Sequence, residues 1–238
     1  MRPRRSDRSS WRRRALGLAV TVVGFGAPGT LLVAQQETVA TTLHNLSASG
    51  PGEIRAVSET EVCKFCHIPH NAQVAEPLWS RPLSEAQYLT PNVRDTSGRR
   101  SQAPQPDGSS RLCLSCHDGT IALGEIVGES QPLAMAGAER LSAGHKGYIG
   151  TDLSGDHPIS FSLLDANLQD AKPDSDIAIR SPSAIVSEGQ VPLDAQGKMQ
   201  CTTCHDPHAD RYYVPDLVPR FWIRPTVDEV CLSCHALR

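Results

Sequence analysis

The sequence predicts a mostly irregular chain, with short α-helices at four cysteine-bearing sites and a few short strands. Three observations lead there. All eight cysteines fall into four motifs of one pattern. Aromatic residues make up only 5% of the chain, too few for a large side-chain core. Eighteen glycines and eighteen prolines interrupt every stretch long enough for a bundle helix. Something other than side chains must supply the core.

Residues 1–34 differ in composition from the rest. Seven arginines (Arg2, Arg4, Arg5, Arg8, Arg12, Arg13 and Arg14) precede an apolar stretch that runs from Ala15 to about Val33, the layout of a secretory leader. Gly17, Gly24, Gly26, Pro28 and Gly29 weaken that stretch as a membrane helix. Cleavage is expected after Ala34, giving a mature domain over 35–238 with no membrane span. Losing the leader removes seven arginines and one aspartate, leaving 16 basic and 25 acidic side chains and a net charge of -9. Phosphate binding needs a basic surface, so a nucleic-acid partner is not expected.

The cysteines form four CxxC pairs, and a histidine follows each pair at once: Cys63–Cys66–His67, Cys113–Cys116–His117, Cys201–Cys204–His205 and Cys231–Cys234–His235. CxxCH is the attachment signature of haem c. Cysteines at i and i+3 share one side of a helical turn and can form thioethers to both vinyl groups of one porphyrin. The histidine that follows becomes the proximal iron ligand. Zinc ribbons and disulfides also use paired cysteines, but neither needs a histidine after every pair. The expected cofactors are four covalently bound haem c groups. Four large, flat, apolar porphyrins would form the core that the side chains do not.

A second axial ligand makes a haem iron an electron carrier, whereas an open position permits chemistry at the metal. Five histidines remain for that role: His44, His70, His145, His157 and His208. His70 and His208 each stand in CxxCHxPH. Neither can easily serve its own haem. The two ligand α-carbons lie about 12 Å or more apart, and three residues reach at most about 11 Å. Each should therefore ligate a neighbouring haem. His157 precedes Pro158, which biases it to extended backbone. His44 lies near the mature N-terminus, and His145 sits in a glycine-flanked segment. After cleavage only Met135 and Met199 could offer thioether ligation.

Local signals place the smaller elements. Ser58–Glu61 and Thr226–Glu229 both read as capping boxes just ahead of a motif. Asp118-Gly119 and Asp206-Pro207 should end the helical turns. Residues 159–163, 211–214 and 220–223 read as short strands, and 92–110 as a polar loop. Tyr212, Tyr213, Phe221 and Trp222 are expected to pack on haem. A repeat is also visible: CxxCHxPH followed by CLSCH occurs over 63–117 and again over 201–235.

In these motifs the chain resembles the doubled-CxxCH multihaem c-type cytochromes. Within that group it is most similar to the filament-forming extracellular tetrahaem cytochromes of metal-reducing bacteria, the OmcE type. The likeness runs through Leu43–Ser47, CKFCHIPHNA (63–72) with Pro77-Leu78-Trp79, CLSCHDGT (113–120), Asp152–Phe161, CTTCHDPH (201–208) and CLSCH (231–235). It implies distal roles for His44, His70, His157 and His208, with His145 spare. It also implies a homopolymer whose haems run continuously, one distal histidine crossing between copies; the N-terminal His44 is the expected crossing residue. An extracellular filament that carries electrons to or from other redox proteins or acceptors is thus the leading expectation. A monomeric periplasmic shuttle is the alternative within electron transfer. A multihaem oxyanion reductase, with one five-coordinate haem, is the enzymatic one.

Overall fold

The computed structural model describes residues 38–68, 78–94, 100–163, 177–188 and 191–237. The chain divides into residues 1–35, where the expected leader lies outside the described residues, and the unit 36–238. Among the described residues no helix is long and apolar enough to cross a membrane.

Regular structure is sparse and local. Among the described residues there are three two-stranded antiparallel pairs: β1 (Arg55–Ala56) with β4 (Met135–Ala136), β2 (Asn92–Arg94) with β3 (Arg100–Gln102), and β5 (Ile177–Ile179) with β6 (His235–Leu237). Their registers pair Arg55 with Ala136, Val93 with Ser101, and Ala178 with Ala236. Helices α1 (Gly108–His117) and α3 (Val227–Cys234) each carry a CxxC pair, and α2 (Pro182–Glu188) lies between them in sequence. The other two pairs sit on 3-10 turns, Val62–Phe65 and Cys201–Thr203.

Helix α1 is bounded by left-handed glycines. Gly108 (φ +48°) opens it after the extended Asp107, and Gly119 (φ +76°) closes it with its N–H on the Cys116 carbonyl at 3.2 Å. A Cβ at Gly119 would stand 2.5 Å from the Leu141 carbonyl oxygen, so no side chain fits that turn. Helix α3 starts on Thr226, whose hydroxyl accepts from the Glu229 N–H at 3.2 Å. The matching cap expected at Ser58 is not formed. The turn starts after Glu61, and the Glu59 carboxylate accepts from the Thr60 and Glu61 N–H groups instead.

The strands expected over 159–163, 211–214 and 220–223 are also absent. Each stretch contributes only an isolated bridge: Ser162 with Lys198, Val214 with Val218, and Trp222 with His205. Ser160 (φ 61°) and Phe221 (φ 60°) bend two of them, because a left-handed residue breaks an extended run. The 92–110 stretch, read as loop, holds β2 and β3.

Two small apolar clusters anchor the unit. Leu163, Ile185, Val191, Met199, Val230 and Cys234 form the larger one, which takes up Met199 as packing. Tyr88, Leu114 and Leu153 form the smaller. Between the two halves of the chain lies a polar seam. The Gln200 side chain accepts from the Ser110 hydroxyl at 2.5 Å and donates to Asp107 and Asp194 at 2.9 Å each. Lys198 pairs with Asp107 in the same seam, and the Cys201 N–H donates to Ser110 at 3.0 Å. These bonds hold α1 against the turn at Cys201, and so one cysteine motif against another.

Candidate functional site

Each CxxCH motif closes on itself. The His67 N–H reaches the Cys63 carbonyl at 2.8 Å, and the His205 N–H reaches that of Cys201 at 3.0 Å. In α3 the His235 N–H does the same to Cys231. One helical turn thus sets both cysteines of a pair on one side, as two thioethers to one porphyrin require. No two of the eight cysteines are joined in a disulfide. Burial pushes the Cys66 and Cys204 thiols up to about 12 and raises that of Cys116.

Folding brings the motifs together across long separations. The Cys201 N–H on Ser110 of α1 sets the third motif against the second. Cys204 packs on the apolar cluster that holds Cys234, joining the third motif to the fourth. His208, just after the third motif, stands 6.2 Å from His67 of the first.

Three of the four proximal histidines face a second imidazole. Ring centres are 6.0 Å apart for His117 and His44, 6.2 Å for His67 and His208, and 6.3 Å for His235 and His157. Two metal–imidazole bonds of about 2.0–2.1 Å, plus about 1.1 Å from nitrogen to ring centre on each side, give about 6.3 Å. The gaps therefore match one iron between two imidazoles.

Hydrogen bonds to the rings agree. Nδ1 lies against a backbone carbonyl in His44 (Pro207, 3.0 Å), His117 (Gly147, 2.6 Å), His157 (Pro158, 2.9 Å) and His205 (Arg220, 3.1 Å). A carbonyl only accepts, so Nδ1 carries the proton and Nε2 keeps the lone pair for a metal. Burial lowers His44 to about 4 and also lowers His205 and His235, holding all three in the neutral, ligating form.

His145 differs. Its Nδ1 accepts from the Ser142 N–H at 3.1 Å, with the Ser142 hydroxyl at 3.0 Å. The proton must then sit on Nε2, which has no lone pair to give.

Among the described residues no group of three or more His, Cys, Asp or Glu side chains could hold a metal ion directly. A zinc ribbon needs four such ligands, whereas a haem iron takes two. On the donor sets and their spacing, the residues fit haem c.

His44, the expected crossing residue, packs against its own chain here. Phe221 stacks on its ring at 4.0 Å between centres, and Pro207 takes its Nδ1 proton. His208, in the third motif's loop, stands opposite His67 of the first. His70 lies outside the described residues. No second histidine ring stands beside His205 among the described residues; its neighbour is Trp222, edge-on at 5.1 Å.

Of the expected aromatic group, Phe221 and Trp222 touch these histidines, while Tyr213 lies under the Arg220 guanidinium at 3.7 Å. The expected site residues do not include Arg81, which is buried two residues after Trp79, the bridge partner of His67. A signal was present: each CxxCHxPH is followed by Trp-x-Arg, at Trp79–Arg81 and Trp222–Arg224.

Residues 194–237 match the family model of the doubled CXXCH motif. The match spans the second motif pair, and it supports a multihaem c-type cytochrome with covalently bound haem c. No curated protein matches the chain.

Proposed function

We propose that the protein is a tetrahaem electron carrier, exported and polymerised into an extracellular filament. The opposition of three histidine pairs at 6.0–6.3 Å, each across a CxxCH motif, carries this reading. When bound, haem c would supply reversible one-electron chemistry, with histidine pairs of this chain holding the iron. The chain attaches each porphyrin through a cysteine pair and holds the imidazoles neutral by burial and by Nδ1 bonds to carbonyls.

In this reading His44, His208 and His157 are the distal ligands facing His117, His67 and His235. His70 is left as the ligand for His205, and with His44 serving His117 within the chain it is the histidine that would cross between copies. Copies joined this way would form a continuous file, which is the arrangement that the resemblance to filament-forming cytochromes implies.

Negative-stain electron microscopy of the mature protein, beside intact mass under denaturing conditions, tests both levels. Four covalent haems in long thin fibres are expected. Four haems in single particles would return the function to a soluble shuttle. The alternative of another class is a reductase with one five-coordinate haem. A high-spin ferric band from one haem in four in the polymer would support it, and a wholly low-spin spectrum would dismiss it.

A further inference from the structure

Arg81 is 1% exposed, yet no carboxylate lies within ion-pair distance of it among the described residues. Its two terminal nitrogens donate to the carbonyls of Leu123 (2.7 Å) and Ala122 (2.6 Å), while Nε is shielded and lacks an acceptor. Two residues earlier, Trp79 Nε1 is likewise shielded and unpartnered. Both side chains line a cavity of 260 Å³ completed by Pro82, Leu83, Glu85, Arg111 and Val127.

A buried cation without a counter-charge costs several kcal/mol, and an unmet buried donor adds to that cost. Carbonyl dipoles satisfy hydrogen bonds but leave the charge. Trp79, two residues before Arg81, bridges His67, and its ring stands edge-on 6.2 Å from the His67 ring, which sets the pair beside the first attachment motif. Glu85 is exposed at the cavity and pairs with neither arginine. The missing partner is a carboxylate brought in with the cofactor.

We propose that Trp79 and Arg81 receive a haem propionate in this cavity, and that Arg81 neutralises it and raises the potential of that haem. The proposal rests on the haem c reading above. Arg81 is a positioning and charge-balancing residue here, and it ligates no iron. A fixed positive charge favours the added electron, so removing it lowers the potential.

The test is an anaerobic reductive titration of the loaded protein, followed optically, with wild type beside Arg81→Gln, Arg81→Lys and Trp79→Phe. In haem-loaded Arg81→Gln, one of the four one-electron waves should move to lower potential. Arg81→Lys should return it most of the way, and Trp79→Phe should move the same wave less. A loaded Arg81→Gln curve that superposes on wild type overturns the proposal. Should Arg81→Gln fail to load, Trp79→Phe decides in the same manner. A wild-type wave that shifts on adding acetate would make the cavity a site for free carboxylates and overturn the propionate assignment. A Glu85→Gln shift without an Arg81→Gln shift would assign the charge balance to the chain and overturn it too. Wild-type protein without covalent haem by mass would overturn the haem reading itself, and this proposal with it.

Discussion

Around His67 and around His205 the chain builds the same small structure. A 3-10 turn presents the cysteines, and the histidine forms a bridge with a tryptophan, Trp79 or Trp222. The residue before each tryptophan is left-handed, Leu78 at φ 63° and Phe221 at φ 60°. Its carbonyl accepts from Ile68 at 2.9 Å in one copy and from Asp206 at 2.7 Å in the other. The residue after it donates to the carbonyl of the second cysteine, Ser80 to Cys66 and Ile223 to Cys204. Completion differs. His67 faces His208 from the other half, whereas His205 faces no histidine among the described residues. A duplicated unit fixes how a haem is attached and leaves its second ligand to whatever the rest of the chain, or another copy, brings near.

The largest effect should come from deleting one attachment site. Cys201→Ala with Cys204→Ala should leave three haems by intact mass and slow conduction along fibres by orders of magnitude, because one of the proposed electron-transfer sites is lost. Next are the distal histidines. Each of His44→Ala, His157→Ala and His208→Ala should turn one haem high-spin in the optical spectrum, whereas His145→Ala should change nothing. His145 carries its proton on the nitrogen a ligand would need free.

Smaller effects separate the two copies of the repeat. Leu78 is exposed, so Leu78→Gly should relieve backbone strain and stabilise the loaded protein by about 1 kcal/mol in denaturant titration. Phe221→Gly should instead destabilise it by about 2–3 kcal/mol, since lost burial and lost stacking on His44 outweigh the same relief. Least is the capping pair. Thr226→Ala should cost about 1 kcal/mol, and Ser58→Ala close to nothing, because only Thr226 caps a helix.

Attachment chemistry was legible in the sequence because CxxCH is contiguous: one helical turn contains the whole requirement. Chain geometry alone keeps His208 from its own motif's iron, and its ring stands opposite His67. Pairings made across long separations were not legible. His157 meets His235, and Ser110 meets Gln200, through folding that no local pattern encodes. The expected strands failed for a local reason that composition hides: Ser160 and Phe221 adopt left-handed backbone. Ser58 and Thr226 begin equally good capping patterns, but only the second precedes an α-helix. The tautomer that sets His145 apart depends on one backbone N–H from Ser142.

The most direct test of the account is a cryo-electron microscopy map of the haem-loaded protein, read at the axial positions of each porphyrin. The account predicts one porphyrin between His44 and His117, one between His67 and His208, and one between His157 and His235, all within a single chain. A map in which any of these pairs holds no porphyrin, or in which its members ligate different haems, would contradict it.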